Sequence, residues 1–338
     1  MRKKRMRVPL LLAAAVVLFA AFFPLPYYVT RPGMAKELDS VVHVENGDRA
    51  EGKFFLTTVR MGRATIITYL MAKFQDYSEI LPLDSVRLEN ETDEEYNVRQ
   101  LYYMEESKEN AIQAAFKAAG ESYEVRHKGV YVLGVVKGMP AEGVLQAGDR
   151  IIAVDGKTFD SSDRFISYVQ SKKEGDKITV TFLRKGKEHR KKIPVRRIPE
   201  LDKPGIGIKL VEDKEVKTKR EVTIDTEEIG GPSAGLMFTL EIYNQLTKGD
   251  LTKGYRIAGT GTIDSDGKVG PIGGVDQKVV AADKEGAEIF FAPNENGKRD
   301  SDYQMALETA KRIGSKMKIV PVDTLSDALA YLESLPEK

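Results

Sequence analysis

The segment EEIGGPSAGLMFTLEIYNQL, residues 227–246, holds a serine, Ser233, inside a G-x-S-x-G string. Such a string is typical of the sharp strand-to-helix turn that exposes a nucleophilic serine. A serine nucleophile needs a base, and in α/β-hydrolases the histidine base follows the serine along the chain. The three histidines, His43, His127 and His189, all precede Ser233. If this serine attacks a substrate, its base is therefore expected to be another kind of residue.

The residues around Ser233 predict the N-terminus of a helix, because AGLMFTLEIYNQL contains no helix breaker after Gly235. Pro232 suits the first helical position and Gly231 the cap, so we expect Ser233 in the first turn. Backbone N–H groups there lack partners within the helix, and the helix dipole favours negative charge. Gly231, Pro232 and Ala234 are thus candidates for an oxyanion-stabilising turn. The alternative is that Ser233 only caps the helix.

A candidate base occurs in the segment GPIGGVDQKVVAADKEGA. In a helix over this segment, Val275, Val279 and Ala282 form an apolar stripe, and Lys278 lies on the same face. Burial lowers the pKa of a lysine, and a general base needs a pKa near neutrality. The alternative is that the side chain extends along the apolar face and keeps its amine in water.

Both segments resemble the proteolytic domain of Lon-type Ser-Lys peptidases. The resemblance rests on GGPSAG followed by IAGTGTIDSDGKVGPIGGVDQKVVAADKEGAEIFFAPNEN, and it covers most of residues 204–335. It implies that Ser233 is the nucleophile and Lys278 the general base. It also implies that the hydroxyl of Thr260, in GTGTI, helps to hold the lysine. No metal or cofactor is part of such a site.

Three features depart from the pattern of that family. Gly230 stands where an aspartate is common, and Thr262 stands where a glutamate is common. No G-x-x-x-x-G-K-[ST] string is present, so the sequence contains no P-loop ATPase module. We therefore expect a peptidase that works without ATP hydrolysis on this chain.

The unit 122–198 resembles a PDZ domain of the kind found in bacterial proteases, on the segment MPAEGVLQAGDRIIAVDG. The resemblance implies a groove in which an extended peptide adds to an exposed strand beside a helix. The candidate groove residues, on the strand GVYVLGVV and the helix DSSDRFISYVQSKK, are Val130, Tyr131, Val132, Phe165 and Tyr168. The carboxylate-binding loop is either 123–125 or 129–132.

The N-terminus combines a basic cluster, MRKKRMR, with a run that is uncharged from Val8 to Val29. About twenty apolar residues span a bilayer as a helix, and flanking basic residues stay in the cytoplasm. We predict an uncleaved signal-anchor in residues 1–31, with the catalytic domain outside the cytoplasm. The alternative is a cleaved signal peptide. Residues 34–121 are predicted to hold strands and a helix, part of which could complete the proteolytic domain.

Composition limits the function classes. The 52 basic and 51 acidic residues argue against a nucleic-acid partner, and the absence of cysteine excludes disulfides and thiolate chemistry.

The predicted fold class is α+β, with an N-terminal transmembrane helix, a β-rich PDZ-like domain and a Lon-type α/β proteolytic domain. This arrangement resembles the membrane-anchored PDZ-Lon peptidases of Gram-positive bacteria, whose relatives are implicated in removing a membrane-bound cell-division inhibitor after DNA damage.

The predicted function is that of a membrane-anchored, ATP-independent serine endopeptidase whose PDZ domain selects or tethers substrate peptides. The expected partners are peptide or protein substrates and the bilayer, through residues 8–29. By resemblance, such domains can also form a ring, so a homo-oligomer is a further expectation. One alternative is a catalytically silent PDZ-based binding protein at the membrane. Another is that GGPSAG cradles a phosphate at a helix N-terminus.

Overall fold

A computed structural model describes residues 7–88, 90–199, 201–227 and 229–338. The helices in these ranges are α1 (Arg7–Phe22), α2 (Ile66–Ala72), α3 (Leu83–Val86), α4 (Asp93–Ala118), α5 (Ser162–Gln170), α6 (Gly235–Leu246), α7 (Val275–Lys284), α8 (Asp302–Ile313) and α9 (Leu325–Glu333). The strands of the N-terminal half are β1 (Pro24–Glu37), β2 (Val42–Val44), β3 (Lys53–Thr65), β4 (Glu79–Pro82), β5 (Tyr123–Val135) and β6 (Arg150–Val154). They are followed by β7 (Lys177–Arg184), β8 (Lys187–Pro194), β9 (Arg196–Ile198), β10 (Lys203–Gly205), β11 (Ile208–Thr218), β12 (Val222–Ile224), β13 (Arg256–Gly259), β14 (Thr262–Ile263), β15 (Val269–Gly270), β16 (Ile289–Pro293) and β17 (Lys318–Val322).

A six-stranded sheet in the order β17-β16-β13-β3-β1-β4 forms the centre of the half of the chain that carries Ser233 and Lys278. Successive side chains of a strand point to opposite faces, so each strand supplies both layers of the core. Phe54 and Leu56 of β3 pack towards α4, α6 and α9, whereas Phe55 packs towards α7 and α8. Helix α6 is buried along most of its length, which explains why its sequence is apolar on nearly every face.

The N-terminal region contributes directly to this sheet. Residues 53–56 of β3 pair in parallel with residues 256–259 of β13, and β1 pairs antiparallel with β3. The segment near Phe54 to Val59 therefore lies in the same sheet as the C-terminal strands. The division into units at 1–31, 34–121, 122–198 and 204–335 stays a prediction.

The PDZ-like half contains a five-stranded antiparallel sheet in the order β11-β5-β6-β7-β8. Helix α5 covers one face, and Phe165 and Val169 pack there with strand residues such as Val130 and Ile178. Strand β11 follows the predicted end of this unit at residue 198, yet it pairs with β5 along its whole length. The first strand of the unit thus lies between β11 and β6.

The predicted transmembrane helix, and with it the predicted single-pass membrane location, is contradicted by the structure. Helix α1 ends at Phe22, and β1 continues from Pro24 into the six-stranded sheet. Tyr28, which belongs to the uncharged run 8–29, is 6% exposed and pairs with Leu81 of β4. Among the described residues, no helix has both the length and the apolar character needed to cross a bilayer. The apolar run is divided because prolines end the helix and the β-branched and aromatic residues that follow favour a strand.

Candidate active site

The segment that carries Ser233 is a turn in front of helix α6. The helix begins at Gly235, with Ala234 at the N-cap and no side-chain capping bond. The prediction that Pro232 is the first helical residue is therefore wrong, and Ser233 lies two residues before the helix. Gly231 has a φ of +89°, a left-handed conformation that favours glycine and lets the chain turn sharply. The turn leaves the Ser233 hydroxyl at the surface of a cleft.

Lys278 reaches this hydroxyl from the neighbouring helix α7. Its Nζ lies 2.7 Å from Ser233 Oγ, within hydrogen-bond distance. The lysine is 3% exposed, and Val275, Val279 and Ala282 on the same helix are also buried. The structure thus places Lys278 on the inward face of the helix, as the residue spacing indicates. The amine at the end of its side chain contacts the serine rather than bulk water.

Thr260 connects the two residues from the end of β13. Its hydroxyl donates to the carbonyl oxygen of Ser233 at 3.0 Å and accepts from Lys278 Nζ at 3.0 Å. A hydroxyl has one proton, so the proton given to the carbonyl fixes Thr260 Oγ1 as the acceptor for the amine. A neutral Lys278 then directs one N–H at Thr260 and has its lone pair free for the serine proton.

Burial lowers the pKa of Lys278 to about 7, although the carboxylate of Asp302 acts in the opposite direction. Asp302 is 8% exposed, and its Oδ2 accepts the N–H of Ile272 at 2.8 Å. Burial in turn raises the pKa of the Asp302 carboxyl. The environment therefore leaves a substantial fraction of Lys278 neutral near pH 7, which a general base requires.

Sequence reasoning missed Asp302, although it begins a capped helix after Ser301. It also missed Gln277, which is 1% exposed and donates through Nε2 to Thr30 Oγ1 at 2.9 Å. A capping signal predicts where a helix begins but not which side chains of other segments lie beside it. Both residues line the same cleft as Lys278.

The cleft has a volume of about 1710 Å³. One wall is formed by β3 beyond its last pair with β13, and this stretch contributes Thr57, Thr58 and Val59. The Ser233 turn and the start of α7 form the other parts. Because β3 continues past the end of β13, the cleft runs along a strand edge, a surface to which an extended peptide can add.

The turn also supplies possible donors for a developing oxyanion. Within the described ranges, the backbone N–H groups of Ser233 and Ala234 have no acceptor in the hydrogen-bond network. Gly231, in contrast, directs its N–H at the carbonyl of Gln100 at 2.9 Å, and Pro232 has no N–H. Of the three predicted turn residues, Ala234 is therefore the one placed to donate. Gly231 and Pro232 shape the turn.

The five predicted PDZ-groove residues do not line a single groove. Val130 and Phe165 border a small cavity of about 180 Å³, and Val132 is buried in the core. Tyr131 lies on the opposite face and stacks on Tyr102 of α4, with ring centroids 5.4 Å apart. Tyr168 donates its hydroxyl to Asp155. Since β5 pairs with both β11 and β6, the strand chosen from the sequence has no open edge at residues 130–131.

The two edge strands of that sheet are β11 and β8, and β11 is the one next to β5. Ile208 and Leu210 on β11 pack against the same core cluster as Ile166 and Val169 of α5. The peptide groups of Val132 point towards β6, because its N–H donates to Asp149 and its carbonyl accepts from Gly148. Val132 is paired with Leu210 of β11, and because the peptide groups of Val132 face β6, the two residues form no hydrogen bonds with each other. The N–H of Leu210 therefore points away from β5, to the outer edge of the sheet. The outer edge of β11 and helix α5 thus border a strand-and-helix surface.

Comparison with known proteins places this chain in a class defined by two domains. Residues 117–195 match the family model for the PDZ domain, and residues 208–333 match that for the Lon protease (S16) C-terminal proteolytic domain. The chain therefore combines a PDZ domain with a Lon-type proteolytic domain, and the second match supports serine peptidase activity.

Among similar proteins, the Lon protease of Campylobacter concisus is 37% identical over 99 residues, 29% of this chain and 11% of that protein. The Lon protease of Trichlorobacter lovleyi is 36% identical over 107 residues, 31% of this chain and 12% of that protein. The chain thus spans only a small part of these relatives. A PDZ domain of an SdrC-like protein from Listeria monocytogenes is 42% identical, with a TM-score of 0.25, and covers 26% of this chain and 93% of that structure.

Proposed function

We propose that this chain is an ATP-independent serine endopeptidase in which Lys278 activates Ser233. The observation that carries the proposal is the 2.7 Å approach of a buried lysine amine to the serine hydroxyl. A serine hydroxyl alone is a weak nucleophile, and an adjacent neutral amine can take its proton. No histidine is needed in such a pair.

In this mechanism Ser233 Oγ attacks the carbonyl carbon of a peptide bond while its proton passes to Lys278 Nζ. The oxyanion that forms accepts hydrogen bonds from the backbone N–H groups of Ser233 and Ala234. Lys278, now an ammonium, gives a proton to the departing amine. Water then attacks the acyl-enzyme with Lys278 again as base. Thr260 keeps the amine directed at the serine throughout.

The pH dependence tests this proposal. Because the base must be neutral and its pKa is lowered to about 7, kcat/KM should rise with pH up to that value and level off above it. Below pH 7 it should fall about tenfold per pH unit, as expected for one essential group. The measurement is cleavage of fluorescently labelled casein from pH 5 to pH 9, with circular dichroism as a control for folding. Activity that is flat or that falls as pH rises through 7 contradicts Lys278 as the base.

We also propose that the outer edge of β11, beside α5, binds substrate peptides. Main-chain hydrogen bonds to a strand edge supply affinity for an extended peptide. This location replaces the groove predicted around residues 130–132.

Leu210→Pro tests this location, because proline removes the outward N–H and remains compatible with an edge strand. It should raise the KM for casein about tenfold with kcat unchanged, a loss of about 1.4 kcal/mol in binding. Leu210→Val, which keeps the N–H, is the control. If the proline variant is folded and its KM is unchanged, the proposal that peptides bind at the edge of β11 is contradicted.

Two further statements follow from the family resemblance alone and stay predictions. One is a small cell-division inhibitor as the natural substrate, and the other is assembly into a homo-oligomer. The chain has no P-loop string, so substrates are expected to be small, unfolded or flexible.

A further inference from the structure

Helix α4 lies directly against the turn that carries the nucleophile. The carbonyl oxygen of Gln100 accepts the N–H of Gly231 at 2.9 Å. About two helical turns further on, Ser107 Oγ donates to the carbonyl oxygen of Pro232 at 3.0 Å. Ser107 is 3% exposed. These two bonds hold the peptide groups immediately before Ser233.

The contact between α4 and the turn is close enough to exclude side chains. A Cβ atom at Gly230 would lie 3.0 Å from Gln100 Cβ, and one at Gly235 would lie 2.9 Å from Ser107 Oγ. Glycine at 230 therefore permits the helix to approach. The turn is thus shaped by the helix pressed against it.

On its other side, α4 is attached to the PDZ-like half. Tyr102 donates its hydroxyl to the carbonyl of Glu212 at 2.8 Å, and Glu109 accepts the N–H of Val216 at 2.6 Å. Gln100 and Ser107 lie outside both matched segments, 117–195 and 208–333. The helix is therefore a rigid support that neither domain supplies by itself.

We propose that Ser107 is a positioning residue for Ser233. Its hydroxyl fixes the Pro232 carbonyl, and this orients the Ser233 hydroxyl towards Lys278 and keeps the neighbouring N–H groups facing the cleft. The inference rests on the proposed peptidase function. It adds that a residue of α4, which does not touch the substrate, sets the reactivity of the nucleophile.

Ser107→Ala removes this hydrogen bond with little change in volume. We expect kcat for casein cleavage to fall about tenfold with KM nearly unchanged, since small displacements of a reacting group carry costs of up to about 10²-fold. The rate at which a fluorophosphonate probe labels Ser233, followed by mass spectrometry, should fall by the same factor. Glu105→Gln, at an exposed position of the same helix, is the matched control and should label at the wild-type rate.

The labelling experiment separates this inference from the function on which it rests. If the wild-type chain is not labelled at Ser233, the proposed peptidase function fails. If the wild type is labelled and Ser107→Ala is labelled equally fast, only the positioning role is overturned. A loss of activity that appears entirely in KM, or that matches a fall in folded fraction measured by thermal melting, also overturns it.

Discussion

Replacing Lys278 with methionine is expected to lower kcat/KM by about 10³-fold or more, because general-base assistance alone typically contributes 10²–10⁴-fold. Methionine fills a similar volume in an apolar setting but cannot accept the serine proton. The measurement is cleavage of casein without ATP at pH 8. Lys284→Met, at an exposed position of the same helix, is the matched control and should keep wild-type activity. A Lys278→Met variant that still cleaves would show that another group activates the serine.

The same variant should reveal the energetic cost of the buried amine. The pKa of Lys278 is about 7 in the folded protein, against about 10.4 for an unfolded chain. Between these pH values the unfolded chain binds more protons at this position than the folded protein does. The free energy of unfolding of the wild type therefore increases as pH rises. The melting temperature of Lys278→Met should therefore exceed that of wild type most clearly at or below pH 7. The difference should shrink towards pH 10, and a difference that grows with pH would contradict the lowered pKa.

Thr260→Val is expected to lower kcat/KM by about 10²-fold, with the fold intact. Valine has the shape of threonine without its hydroxyl, so both the bond to the Ser233 carbonyl and the acceptor for Lys278 are lost. A small misplacement of a reacting group can cost about 10²-fold. Steady-state kinetics on casein measure the effect. Thr181→Val, at a buried threonine of the PDZ-like sheet, is the control. Equal activity of the two variants would show that Thr260 does not orient the lysine.

The inward position of Lys278 could be predicted because it depends on local spacing. Val275, Val279 and Ala282 recur at helical intervals, and any helix over them turns Lys278 to the same side. The meeting of Lys278 with Ser233 could not be derived in this way, because the two lie on different elements 45 positions apart. Only the family resemblance linked them, and their catalytic roles stay predictions.

Other features depend on contacts between segments far apart in the chain. Nothing near Ser107 indicates that it meets Pro232, because 125 positions separate the two residues. The apolar run 8–29 was misassigned for a related reason. Hydropathy counts apolar residues, but only strand pairing with β3 and β4 determines that Tyr28 belongs to a sheet.

Which strand lies at the edge of the PDZ-like sheet depends on the order of the strands in space, and this order differs from their order in the chain. Strand β5 comes first in the unit and was expected to carry the groove. Strand β11, about 80 positions later, adds outside it. A strand's neighbours cannot be read from its own composition, so the sequence predicts a peptide-binding sheet but does not identify which of its strands lies at an edge.

The most direct test of the central claim is incubation of the full chain with casein, without ATP, beside its Ser233→Ala variant. The account predicts that the wild-type protein cleaves casein and that Ser233→Ala does not. Cleavage by Ser233→Ala at the wild-type rate would contradict the serine mechanism. An inactive but folded wild-type protein would favour a PDZ-based binding protein without catalysis.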